Sequence, residues 1–167
     1  MRTHLPVRPA LLACLSLTAF ACADPREGQE APAIQLKSVD GEEFDLAKQE
    51  AKVVVLDFWA TWCPPCREGL PKLQSAADKL KADGVDVAVY TVNLRESAEK
   101  VKAFWEAKNL TLPVLMDTRG AVAQAYDIEG IPTTVILKGG KIAKVHVGLS
   151  PNMEQQIIDE VKQLAAE

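Results

Sequence analysis

The period of the hydrophobic positions changes several times along the chain, and each change marks an element. Val53-Val54-Val55-Leu56 continues through Asp57 into Phe58-Trp59, an apolar run that reads as a strand buried on both faces. Beyond it, Leu70, Leu73 and Leu80 recur at helical spacing, so a helix runs from the region of Cys63 to about Lys81 and ends at Gly84. Val85 to Val92 is the next buried strand. Ser97 is an N-cap for a helix that turns Val101, Phe104 and Trp105 inward. Pro113 to Met116 reads as a short strand and Ala121 to Tyr126 as a short helix. Ile34-Gln35-Leu36 and Glu43-Phe44-Asp45-Leu46 flank Asp40-Gly41, and Thr133–Leu137 and Lys141–Val147 flank Gly139-Gly140. Both pairs predict hairpins. Met153, Ile157, Ile158, Val161 and Leu164 form a terminal amphipathic helix. A parallel βαβ centre, a late hairpin and helices on both faces predict a three-layer α/β domain.

The first residues follow another pattern. Arg2 and Arg8 are the only charges before Asp24, and Ala10 to Phe20 is an apolar core too short to span a bilayer. Ala19, Ala21 and Ala23 supply small residues after it. Residues 1–21 therefore read as an export signal, 22–31 as a flexible polar tether, and 32–167 as the folded domain. Cys22 has two readings. Ala19-Phe20-Ala21-Cys22 resembles a bacterial lipobox, which would make Cys22 a lipidation site and tie the protein to a membrane. Ala21-Cys22-Ala23 is also an acceptable site for ordinary cleavage before Asp24.

The net charge is −4, and removing the signal takes away Arg2 and Arg8 but no acid, leaving −6. No basic cluster remains, which argues against nucleic acid or an anionic membrane surface as a partner. With Cys14 and Cys22 in or beside the signal, the domain keeps only Cys63 and Cys66. No disulfide framework can be built from one pair, and no second Cys or His pair completes a four-ligand zinc site. Trp62-Cys63-Pro64-Pro65-Cys66, where a buried strand hands over to a helix, instead reads as a redox pair that exchanges with partners. At the helix N-terminus the first cysteine meets free N–H groups and the positive end of the dipole, which favour its thiolate. Asp57 is costly to bury ionised inside Val53–Trp59, so its pKa is expected to be raised.

Asp57-Phe58-Trp59-Ala60-Thr61-Trp62-Cys63-Pro64-Pro65-Cys66, Pro71 and Gly130-Ile131-Pro132-Thr133 together resemble the thioredoxin fold. Ala31-Pro32, Phe44-Asp45-Leu46, Val92-Asn93-Leu94-Arg95-Glu96-Ser97 and Leu112-Pro113-Val114-Leu115-Met116-Asp117 extend the resemblance to the TlpA/ResA family of exported thiol-disulfide oxidoreductases, from about Ala31 to the C-terminus. The resemblance implies a thioredoxin-like three-layer fold with a central mixed β-sheet, an N-terminal β-hairpin and a β/α insertion. It implies Cys63 as the exposed nucleophile, Cys66 as the resolving cysteine, and Asp57 beneath Cys66 as its proton relay. Pro132 is expected in a cis bond that sets the Ile131 backbone beside Cys63. Trp62 and Pro64 are expected on the substrate-binding rim, and Phe58 and Trp59 in the core.

The family often has glutamate three residues after the second cysteine, where this chain has Gly69. Glu96 reads as a solvated charge beside the Ser97 cap, and His146 as a bystander. The leading function is reduction of protein disulfides, apocytochrome c among them. A monomer without cofactor or metal would be recharged by a membrane electron donor of the DsbD/CcdA kind. Alternatives are a disulfide oxidase or isomerase, a peroxiredoxin-like peroxidase, or a non-catalytic thioredoxin-fold binding module.

Overall fold

The computed structural model describes residues 24–167, so the expected export signal and Cys22 lie outside the described residues. In chain order the elements are β1 (Gln35–Ser38), β2 (Glu43–Asp45), β3 (Val53–Trp59), α1 (Pro64–Ala82), β4 (Val87–Leu94), α2 (Ala98–Ala107), β5 (Val114–Asp117), α3 (Ala121–Ala125), β6 (Thr133–Lys138), β7 (Lys141–Val147) and α4 (Met153–Ala166). The strands form one mixed seven-stranded sheet in the order β2-β1-β5-β4-β3-β6-β7. β3, β4 and β5 run parallel, and the β1–β2 and β6–β7 hairpins join antiparallel at either side. This is the thioredoxin-like fold with its N-terminal hairpin. The α2–β5 unit is the β/α insertion, and its strand lies between the hairpin and β4.

All seven residues of β3 are buried, as expected of a central parallel strand covered on both faces. Alternation divides them between two cores. Val53, Val55 and Trp59 pack with Leu70, Leu73 and Leu80 of α1, Val101 and Trp105 of α2, and Ile157, Ile158 and Val161 of α4. Val54, Leu56 and Phe58 face the other way, against Val122 and Ala123 of α3, Tyr126 and Phe44. The period of two along the strand puts Asp57 on the first face, beneath the helix that carries the cysteines. Phe58 and Trp59 are fully buried, and Trp59 stacks on Phe104 and Trp105 at centroid distances of 5.4 and 5.0 Å.

Two expectations are corrected. β4 begins at Val87 rather than Val85 because Val85 is used to close α1. Gly84 adopts φ +70°, Val85 N–H donates to Leu80 O and Gly84 N–H to Lys81 O, a left-handed cap that spends the first residues of the apolar run. Residues 24–31, expected to be a flexible tether, instead run along the outer edge of β7. Gly28 N–H donates to Ile142 O, Ile142 N–H to Gln29 O and Ala31 N–H to Gly140 O. Arg26 anchors the start of this segment through Asp24 and the carbonyls of Tyr126 and Asp127. The segment satisfies an otherwise open sheet edge.

Candidate active site

β3 ends at Trp59, and a short turn delivers the chain into α1 with Cys63 as its N-cap. The Cys66 amide donates to Cys63 Sγ at 3.2 Å, and the two cysteines are joined in a disulfide. Pro64 and Pro65 occupy the first helical positions, where proline's fixed φ suits the helix and its missing N–H costs nothing. They also remove two of the free donors at this terminus. Among the helix amides, Cys66 N–H alone is bonded to the sulfur.

Cys63, expected to be exposed, is only 3% accessible against 1% for Cys66. In the oxidised form its sulfur is tied to Cys66 and lies 3.7 Å from the Ile131 carbonyl oxygen. With no S–H present, that approach is a packing contact rather than a hydrogen bond. The Ile131–Pro132 bond is cis, and Pro132 O accepts from Gly148 N–H at 2.8 Å, fixing this loop beside the disulfide. Trp62 is 65% exposed, and Pro64 is also exposed. Trp62 and Ile131 line one groove of about 900 Å³ together with Leu94, Arg95, Gly120 and Ile128.

Asp57 is 2% exposed and accepts a 2.8 Å hydrogen bond from Thr134 Oγ1. Burial pushes its pKa up to about 7, against the opposing pull of that bond. Its partners in the sheet are Thr91 on β4 and Thr134 on β6, so neither neighbouring strand places a cation directly beside it.

Glu96 is the functional-site neighbour that its sequence context concealed. Expected as a solvated charge, its side chain is 3% exposed. It accepts from Thr61 N–H and Thr61 Oγ1, both at 2.6 Å, from Asn93 Nδ2 at 2.9 Å and from Lys100 Nζ at 2.6 Å. Burial alone would raise its pKa, but the bonds from Lys100, Thr61 and Asn93 together outweigh it and hold the carboxyl near 2. Glu96 thereby clamps the turn before Cys63 to the end of β4. Gly69 sits where a side chain has little room, since a Cβ would lie 3.2 Å from Leu149 Cδ1 and 3.4 Å from Met153 Sδ. Glu68 points outward and pairs with Lys72. His146 belongs to a separate contact with Glu160 and Gln156 on α4. Among the described residues, no group of three or more His, Cys, Asp or Glu side chains converges as a metal site would require.

A buried cysteine pair at a helix N-terminus, a cis-proline loop against it and a protonatable carboxyl on the strand face that the helix covers make a centre suited to thiol–disulfide exchange. Comparison with known proteins agrees. Residues 26–162 match the Redoxin family. The chain is 41% identical over 136 residues to the thioredoxin-like protein YneN of Bacillus subtilis, covering 78% of this chain and 77% of that one. It is 34% identical over 140 residues to the thiol-disulfide oxidoreductase ResA of Halalkalibacterium halodurans, covering 83% and 77%. The crystal structure of StoA from Bacillus subtilis superposes with a TM-score of 0.65 at 32% identity, covering 79% of this chain and 97% of that chain.

Proposed function

This chain belongs to the Redoxin family and is a thiol-disulfide oxidoreductase of the ResA kind with a CxxC active site, and we propose that it works outside the cytoplasm as a reductase of protein disulfides. The observation that carries the reading is Asp57, a buried carboxyl held near neutrality on the face of β3 that α1 covers. In the reduced protein the Cys63 thiolate attacks a client disulfide. A Cys63–client bond forms, and one client sulfur leaves as thiolate and takes a proton. Asp57 accepts the Cys66 proton. The Cys66 thiolate then attacks Cys63 Sγ, closing the Cys63–Cys66 disulfide and releasing the second client thiol. Two electrons pass from the protein to the client, and a membrane dithiol donor of the DsbD/CcdA kind restores them. The Pro64-Pro65 pair supports this direction. A thiolate with few amide donors is stabilised less strongly, and a less stabilised thiolate belongs to a more reducing couple.

Trp62, Pro64, Ile131 and Pro132 form the client-binding rim, and apocytochrome c cysteines are the client class proposed. The export signal at 1–21 and the lipobox-like Cys22 support work in the cell envelope, with Cys22 as the anchor. Mass spectrometry of the mature N-terminus distinguishes lipid-modified Cys22 from a free Asp24.

The decisive experiment combines trapping with a potential. Cys66→Ser should capture clients as mixed disulfides on Cys63 in an envelope extract. The wild-type couple should lie at about −250 mV or below. A potential near that of a strong oxidase, about −120 mV, overturns the reductive direction.

A further inference from the structure

The groove beside Cys63 contains one cation whose placement the fold does not explain. Arg95, directly after β4, holds φ +57°. Among the described residues the other non-glycine positions with positive φ are Asn109 and Asp127, types that tolerate this region, whereas arginine is unusual there. Its N–H donates to Asp117 O, which fixes the backbone, but among the described residues its guanidinium makes no hydrogen bond or ion pair. The side chain instead lies on Gly120. A Cβ there would come within 2.5 Å of Arg95 Nε and 2.9 Å of Nη2 and displace the guanidinium, and the φ of +73° at the start of α3 favours glycine there on backbone grounds as well. Gly120 is buried and Arg95 exposed, so the side chain covers the glycine while remaining open to solvent.

Arg95 and Gly120 line the same groove as Trp62 and Ile131, whose carbonyl touches Cys63. The other charged residue lining it is Glu129, which also borders a second pocket with Arg26. An unusual backbone and a cation without a protein partner among the described residues, in the groove that Ile131 shares with the reacting sulfur, mark Arg95 as a residue placed for binding. A guanidinium without a protein partner among the described residues, in a groove whose apolar side is Leu94, Ile128, Ile131 and Trp62 and whose polar side carries Gln124 and Glu129, suits a segment that pairs apolar residues with a carboxylate at the Arg95 end.

We propose that Arg95 is a specificity residue for the exchange reaction. It binds an aspartate or glutamate of the client segment that lies in the groove while the neighbouring client cysteine is attacked by Cys63. The inference rests on the reductase reading and adds the class of client that the site prefers.

The test uses two oxidised disulfide peptides, identical except that glutamate or glutamine flanks each cysteine, reduced by the pre-reduced wild-type protein. The ratio of kcat/KM for the Glu peptide to that for the Gln peptide should be about five at low salt, as for a partly exposed charge pair. It should fall in 0.5 M salt. Arg95→Gln should bring the ratio to one, Arg95→Glu should invert it, and Arg95→Lys should keep it above one. A side chain that only shields Gly120 would alter stability and leave the ratio unchanged. A wild-type ratio of one, or a preference that survives Arg95→Gln, overturns the inference and leaves the reductase reading standing. Reduction of insulin but of neither peptide likewise defeats this inference alone. Failure to reduce insulin or either peptide defeats both.

Discussion

Replacing Asp57 with asparagine removes the ionisable group of β3, and burial determines the sign of the effect. Desolvation, partly offset by the Thr134 hydrogen bond, moves the carboxyl from its ordinary 3.8 to about 7. Between those values the native protein keeps a proton that the unfolded chain has lost. Stability therefore falls as pH rises through that window and levels off above it. At about 1.4 kcal/mol per pH unit, the shift amounts to about 4 kcal/mol of destabilisation at pH 8.5, and about 3 kcal/mol of it accrues above pH 5. Asparagine preserves the volume and can still accept from Thr134 Oγ1, but it does not titrate. Urea unfolding of the oxidised wild type and Asp57→Asn at pH 5 and pH 8.5 isolates the charge, because differences common to both pH values cancel. The variant should gain about 3 kcal/mol relative to wild type on going to the higher pH. A gap between the two proteins that is the same at both pH values would refute the buried, near-neutral carboxyl. The proposed relay would lose its basis with it. With the carboxyl confirmed, Asp57→Asn should also slow the Cys66 step while leaving attack by Cys63 largely intact, read as longer-lived mixed disulfide in stopped-flow quenching.

Glu96 has the opposite linkage: its depressed pKa contributes stability that is complete above about 4.5 and is lost as pH falls toward 2. Glu96→Gln should cost about 2 kcal/mol in urea unfolding at pH 7, since Thr61, Asn93 and Lys100 lose a charged acceptor. A neutral result would remove the clamp from the account of the Cys63 turn. Gly69→Glu, which restores the acid common in the family, should destabilise by about 3 kcal/mol, because Leu149 and Met153 already crowd that position. Thermal melting in which this variant matches wild type would show that α4 can yield there. Leu73→Ala, at a fully buried position of α1, should cost about 3 kcal/mol by leaving a cavity. A loss below about 1 kcal/mol would mean that the surrounding core collapses to fill the space.

What could be read in the chain beforehand follows from how local each interaction is. The run Val53–Trp59, the leucines of α1 and the glycines between hairpin strands report burial and turns through nearest neighbours, and they yielded the correct elements. Cys63 and Cys66 share one helical turn, so their pairing was also legible. Val85 reads as a strand residue in sequence because hydrophobicity does not distinguish a strand residue from one that closes a left-handed helix cap. Residues 24–31 read as a tether in sequence because their bonds to β7 use backbone groups, which composition does not reveal. Glu96 was hidden for a topological reason. Its partner Thr61 is 35 residues away, and the two meet only because β3 and β4 pair in parallel with Trp59 opposite Asn93. Extending that register two or three residues past each strand end places the 61–63 turn beside residues 95–96. Any strand–helix turn carrying a thiol pair in this fold is therefore flanked by the turn that follows the next parallel strand. That is where this chain keeps both the buried acid that holds the turn and the free arginine that faces the groove.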